Sequence, residues 1–142
     1  MNTAEAEIRQ ILDKWLKASR ELDINGIVAH YTPNIVAYDA VKQLQFVGLD
    51  AYRDHWKFCI DMCPGPMIFE IPDLRVTTDE NSAFCFGLLR CGHREEDGTE
   101  KCSWMRVTIC WQKLQGQWRV VHEHYSAPFE MESGQALFDL EP

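Results

Sequence analysis

The chain contains no apolar run near the roughly 20 residues that a membrane-crossing helix requires. Positive charge is also scarce: 14 lysines and arginines face 22 aspartates and glutamates, for a formal net charge of −8. No basic cluster interrupts that balance, so phosphate backbones are repelled and nucleic acid is excluded as an expected partner. The opening "MNTAEAEIRQ" has neither the basic start nor the apolar stretch of a secretion signal, which leads us to expect a cytoplasmic protein. No CxxC occurs among the six cysteines at 59, 63, 85, 91, 102 and 110. Outside an oxidising compartment these should be reduced thiols, at least four of them buried as small hydrophobes. Cys59 and Cys63 stand one helical turn apart, but no further pair at tight spacing completes a metal set, so no metal is expected. Repeats, linkers and low-complexity segments are absent too, which leaves one domain spanning residues 1–142.

What is present reads as three helices followed by strands. Residues 3–21 put Ile8, Ile11, Leu12, Trp15, Leu16 and Ser19 on one stripe, the spacing of an amphipathic helix. Asn2 or Thr3 can cap it. "DINGIVAHY" predicts a second short helix opened by Asp23 and closed by Pro33. "NIVAYDA" follows as a strand that ends at Asp39. "GLDAYRDHWKFCIDMC" predicts a third helix, with Leu49, Tyr52, Trp56 and Ile60 on one side and "PGP" as its stop. Segments near 67–78, 82–95, 101–114 and 117–127 then alternate as long antiparallel strands. The expected class is α+β, with helices on one face of a sheet that must bend because its strands are so long.

The order of these elements, together with "ELDINGIVAHYTPNIVAYD", "VGLDAYRDHW", "MRVTICWQK" and "WRVVHEHYSAP", resembles the SnoaL-like branch of the nuclear-transport-factor-two/ketosteroid-isomerase superfamily. The resemblance implies a cone: a bent sheet wrapped around the helices, a pocket at the wide end, and commonly a dimer. Members of that superfamily include isomerases, cyclases, dehydratases and non-catalytic modules, so the fold alone does not set the activity. In ketosteroid isomerase an aspartate ending the first strand is the general base, and Asp39 falls at the matching position. Trp15 and Thr108 fall where that enzyme carries its oxyanion donors. The association domain of calcium/calmodulin-dependent kinase two is similar in "VGLDAYRDHW" and "HEHYSAP". Arg53 and Arg90 match its pocket arginines, while the third is unmatched: its place falls near Ile109, and Arg106 sits three residues earlier.

From these readings we expect a small apolar or carboxylated molecule as ligand, with no metal or organic cofactor. Asp39 would act as base and His124 as its partner, since imidazole titrates near neutrality. Arg90 and Arg106 would orient an anionic group. Trp56, Tyr31, Trp104, His122 and Ser126 would line the pocket. The alternative is a non-catalytic ligand-binding or oligomerisation module. By resemblance the Phe84, Phe86, Leu88 and Arg90 face of its strand looks inward, and Trp104, Arg106, Thr108 and Cys110 form a pocket-like set. Met105, Val107, Ile109 and Trp111 would then form an outer apolar face that a homodimer covers. Strict alternation puts Val120, His122, His124 and Ser126 on one side of the last strand and Val121, Glu123 and Tyr125 on the other. The histidines are expected inward, although one bulge before His122 would exchange the faces and bring Glu123 inside.

Overall fold

The computed structural model describes residues 2–142. The first helix, α1 (Thr3–Arg20), is capped by Asn2, whose side chain accepts from the Glu5 amide. Its expected stripe is sequestered: Ile8, Leu12, Trp15, Ala18 and Ser19 are buried, with Ile11 and Leu16 partly so. Helix α2 (Ile24–Val28) is capped by Asp23 and ends five residues before Pro33. That proline lies inside β1 (Tyr31–Tyr38), not at a helix end. The strand tolerates it because pairing is irregular between Tyr31 and Val36, where a missing N–H costs no ladder bond. A two-residue strand, β2 (Phe46–Val47), precedes α3 (Leu49–Asp61).

The predicted strand at 67–78 is two strands, β3 (Ile68–Glu70) and β4 (Arg75–Thr78), separated at Pro72 and Asp73. Both pair with β5 (Ser82–Arg94), β4 at Ala83–Phe86 and β3 at Arg90–Gly92. Gly87 sits opposite the break, where a Cβ would come within 2.5 Å of Ile71 Cγ2. Strand β6 (Glu100–Leu114) pairs with β5 along its length, and β7 (Gln117–Ser126) returns beside β6. Positive φ at Gln115 and Gly116 makes the two-residue turn between them, the geometry that matches strand twist.

The sheet runs β2-β1-β7-β6-β5-β3, with β4 beside β5. One junction is not antiparallel: β1 lies parallel to β7. The sheet is strongly curved and does not close. Together with the helices it forms a mixed α+β, cystatin-like fold.

Which face of the long strands meets the helices differs from expectation. Ala83, Cys85 and Leu89 of β5 are buried, whereas Phe84, Phe86 and Leu88 are 45%, 38% and 40% exposed. Ala83, Cys85 and Gly87 are small, which leaves room for Trp111 over Cys85 and for Ile71 over Gly87; the bulkier residues are left outward. On β6, Val107, Ile109 and Trp111 are buried and Met105 packs against them. They are core, and they form no outer face for a dimer. Arg90, Trp104, Arg106, Thr108 and Cys110 go to the convex side with Phe84, Phe86 and Leu88, by the cross-strand register.

A bulge settles the last strand. Trp111 pairs with Val120 and Cys110 with His122, so Val121 is the extra residue. Trp118, Val120, Glu123 and Tyr125 therefore share the buried face. His122 and His124 turn to the convex side, contrary to the inward reading. All six cysteines are free thiols, but only Cys85 is fully buried. The expected four are not: Cys102 and Cys110 stand on the same face of β6 as Trp104 and Thr108, and Cys59, Cys63 and Cys91 are half-buried. Among the described residues no helix is long and apolar enough to cross a membrane.

Candidate functional site at the mouth of the cone

Two polar centres lie within reach of the concave face. The deeper one is Glu123, which is 0% exposed. Its Oε1 accepts from the Tyr52 hydroxyl at 2.6 Å and from the Tyr125 hydroxyl at 3.2 Å. Oε2 has no hydrogen-bond partner within the protein. Tyr31 stacks on Tyr52 with ring centroids 5.4 Å apart, and its hydroxyl accepts from Trp15 Nε1 at 3.0 Å. Burial pushes the Glu123 carboxyl up to about 7, against the opposing pull of the tyrosine hydroxyls. The same burial, reinforced by Glu123, holds Tyr31, Tyr52 and Tyr125 well above the ordinary phenol value. The cavity bordered by Trp15, Tyr31, Trp111 and Glu123 is only about 10 Å³. That is at the lower limit for a single water. The interior is therefore filled by side chains, and Glu123 has no substrate-sized space beside it.

The second centre is at the mouth. Strand β1 delivers Asp39 just past its end, and α3 presents His55 and Cys59 one turn apart on a single face. His55 Nε2 donates to Asp39 Oδ2, while Asp39 Oδ1 accepts from the Ala40 amide at 2.8 Å. Cys59 Sγ lies 3.7 Å from the same His55 nitrogen. Burial, with Asp39 nearby, pushes the Cys59 thiol up to about 11. The imidazole is buried and stacked on Phe46 with centroids 4.0 Å apart, and its Nδ1 has no partner. Asp39 keeps partial exposure. It borders a recess of about 810 Å³ formed by residues 38–45, the end of β7 and the segment carrying Ala136 and Phe138.

The residues singled out from sequence divide between these surroundings. Asp39 is at the mouth, paired with His55 and not with His124. His124 is exposed on the convex side, edge-on to Tyr38 at 5.4 Å, and borders the same recess together with Ser126. His122 Nδ1 contacts the Val36 carbonyl oxygen. Arg90 is held by Glu70 at 3.1 Å and Glu100 at 2.8 Å, so its charge is already met by neighbours on the convex side. Arg106 and Trp104 line a separate groove of about 490 Å³ with Arg75, Phe86 and Leu88. Tyr31 belongs to the Glu123 centre. Trp56 packs edge-on against Trp15 at 6.3 Å. Neither of the two arginines nor Trp104 reaches Asp39's recess. His55 and Cys59 carry a sequence signal, since His55 is three residues from Tyr52 on the buried stripe. Nothing in that spacing reveals Asp39 across from them.

A bent sheet wrapped on helices, with a filled interior and a polar mouth, defines this as a protein of the NTF2-like class. The chain belongs to the SnoaL-like domain family, whose match spans residues 8–130. It is similar over 100% of its length to 99% of an NTF2-like protein of unknown function from Pseudomonas putida KT2440, at 48% identity and a TM-score of 0.92. A ketosteroid isomerase-like protein from Erwinia carotovora atroseptica matches at 20% identity, TM-score 0.72, covering 89% of this chain and 97% of that one. The association domain of C. elegans CaMKII matches at 15% identity, TM-score 0.70, covering 87% and 95%. Those last two likenesses concern the fold. No curated protein matches the sequence.

Proposed function

We propose that this protein binds a small, largely apolar carbonyl compound in the recess beside Asp39 and catalyses proton transfer on it. The observation that carries the reading is the Asp39–His55 pair: a partly exposed carboxylate backed by a buried imidazole N–H, at the edge of a recess of about 810 Å³. In this mechanism Asp39 removes a proton from a carbon next to the carbonyl. The His55 N–H and the Ala40 amide hold the carboxylate in one orientation, so little reorganisation accompanies the transfer. Val41, Leu44, Ala127 and Phe138 supply the apolar walls. Neither Arg90 nor Arg106 lines this recess, so the orienting role expected of them for a carboxylated substrate has no support there, and the apolar walls carry the choice of substrate.

The test begins with a panel of small ketones, enones and keto acids screened for a rise in Tm. Ligands that raise it are then followed by NMR for exchange of the α-hydrogen in D2O. Asp39→Asn should retain the Tm rise and lose exchange by about 100-fold or more, the scale of a lost general base. Exchange that persists in Asp39→Asn refutes the assignment. We also infer a homodimer. The apolar convex strip of Phe84, Phe86 and Leu88 is the surface that would bury against a second copy, with Phe84 and Phe86 already stacked at 6.3 Å.

A further inference from the structure

The convergence of Asp39 and Cys59 on one nitrogen of His55 is more than a hydrogen-bonded pair needs. A single Nε2–H serves one acceptor well, and Asp39 already takes it. The imidazole nitrogen, the thiol sulfur and the carboxylate oxygen all lie within 4.8 Å of one another. From the geometry we infer a binding site for one zinc-class cation at Asp39, His55 and Cys59, where occupancy switches off the base of the proposed reaction. The inhibitory role rests on the proposed proton transfer; the binding itself does not.

The distances suit such an ion. With metal–sulfur near 2.3 Å and metal–nitrogen near 2.0–2.1 Å, a tetrahedral centre needs its sulfur and nitrogen about 3.6 Å apart. Cys59 Sγ and His55 Nε2 are 3.7 Å apart. The helix sets that spacing, because residues four apart lie on the same face. Asp39 touches Nε2 and must move back to admit the ion; it stands at the start of the 39–45 segment, outside regular structure. The donor set chooses the ion. Thiolate, imidazole and carboxylate together favour zinc or cobalt over magnesium or calcium, which take oxygen ligands.

Charge and protons balance as well. Binding releases the Cys59 thiol proton to solvent and moves the His55 proton from Nε2 to Nδ1. Only the bond to Asp39 holds the proton at Nε2, and no protein group bonds Nδ1, so the tautomer is released when Asp39 turns its oxygen to the metal. A dication is then neutralised by one thiolate and one carboxylate, which limits the cost of a partly buried charge. Three protein ligands leave a fourth position for water. A carboxylate bonded to a dication is a far weaker base, so Asp39 no longer takes a carbon-bound proton at a useful rate.

Cobalt(II) added to the purified, chelator-treated protein reads the site directly. We expect one equivalent to bind with the visible bands of a four-coordinate centre and a thiolate-to-cobalt charge-transfer band. Zinc should displace it. Cys59→Ser should abolish the charge-transfer band and weaken zinc binding at least 10-fold, as should Asp39→Asn for affinity, with unchanged circular dichroism in both. Cys63→Ser should leave the spectrum intact. Absence of stoichiometric binding, or a charge-transfer band that survives Cys59→Ser or vanishes in Cys63→Ser, overturns the assignment. One equivalent of zinc should also suppress α-hydrogen exchange by the wild type, and undiminished exchange with zinc bound overturns the inhibitory role. Loss of the proton-transfer reading would appear separately, as exchange that survives Asp39→Asn in metal-free protein.

Discussion

Replacing Glu123 with glutamine should flatten the pH dependence of stability. Glu123 is fully enclosed by Tyr31, Tyr52 and Tyr125, and burial raises its carboxyl from an ordinary 4.5 to about 7. The folded protein therefore holds a proton that the unfolded chain has released between those two values. Stability from this group is complete below about pH 4.5 and is lost as pH rises through about 7. The full difference, at about 1.36 kcal/mol per pH unit, is about 3 kcal/mol, and most of it is lost between about pH 5 and about pH 8. Glutamine cannot ionise, yet keeps a carbonyl oxygen to accept from Tyr52. The assay is urea unfolding followed by tryptophan fluorescence at both pH values. The acidic surface imposes the same trend on both proteins, so the informative quantity is wild type minus variant. That quantity should fall by about 2–3 kcal/mol from the lower pH to the higher. A difference independent of pH would refute the reasoning, because it would mean that Glu123 is ionised throughout or that solvent reaches it.

Two other outcomes concern the sheet. Phe86→Asp puts a charge in the middle of the convex apolar strip, so sedimentation at micromolar concentration should show monomer where the wild type is dimeric; dimer in the variant would place the interface elsewhere. Gly87→Ala drives a Cβ against Ile71, a buried side chain at the β3–β4 break, and should cost about 1–3 kcal/mol in urea unfolding. An unchanged midpoint would show that the break is soft enough to absorb the methyl group.

Local signals settled much of this protein before any tertiary contact was considered. The 3.6-residue stripe and the Asn2 and Asp23 caps give α1 and α2, because capping and one-sided burial act within a few residues. The turn at Gln115–Gly116 and the long strands flanking it were equally legible. Which way those strands face was not. Both sides of β5 are apolar from 83 to 89, so its alternation carries no sign, and the choice falls to the room that Cys85 and Gly87 leave for Trp111 and Ile71. On β6, where Arg106 and Thr108 alternate with Val107 and Ile109, the apolar side is the buried one. On β7 the extra residue at Val121 reverses parity partway along. A bulge is fixed by the ladder of the neighbouring strand, and that information is not in β7 itself. Asp39 was readable as a strand-end carboxylate facing the mouth of a cone. Its partner was not, since His55 is 16 residues away on a helix. Only the packing of α3 against the end of β1 brings the imidazole, with Cys59 one turn beyond it, to the carboxylate.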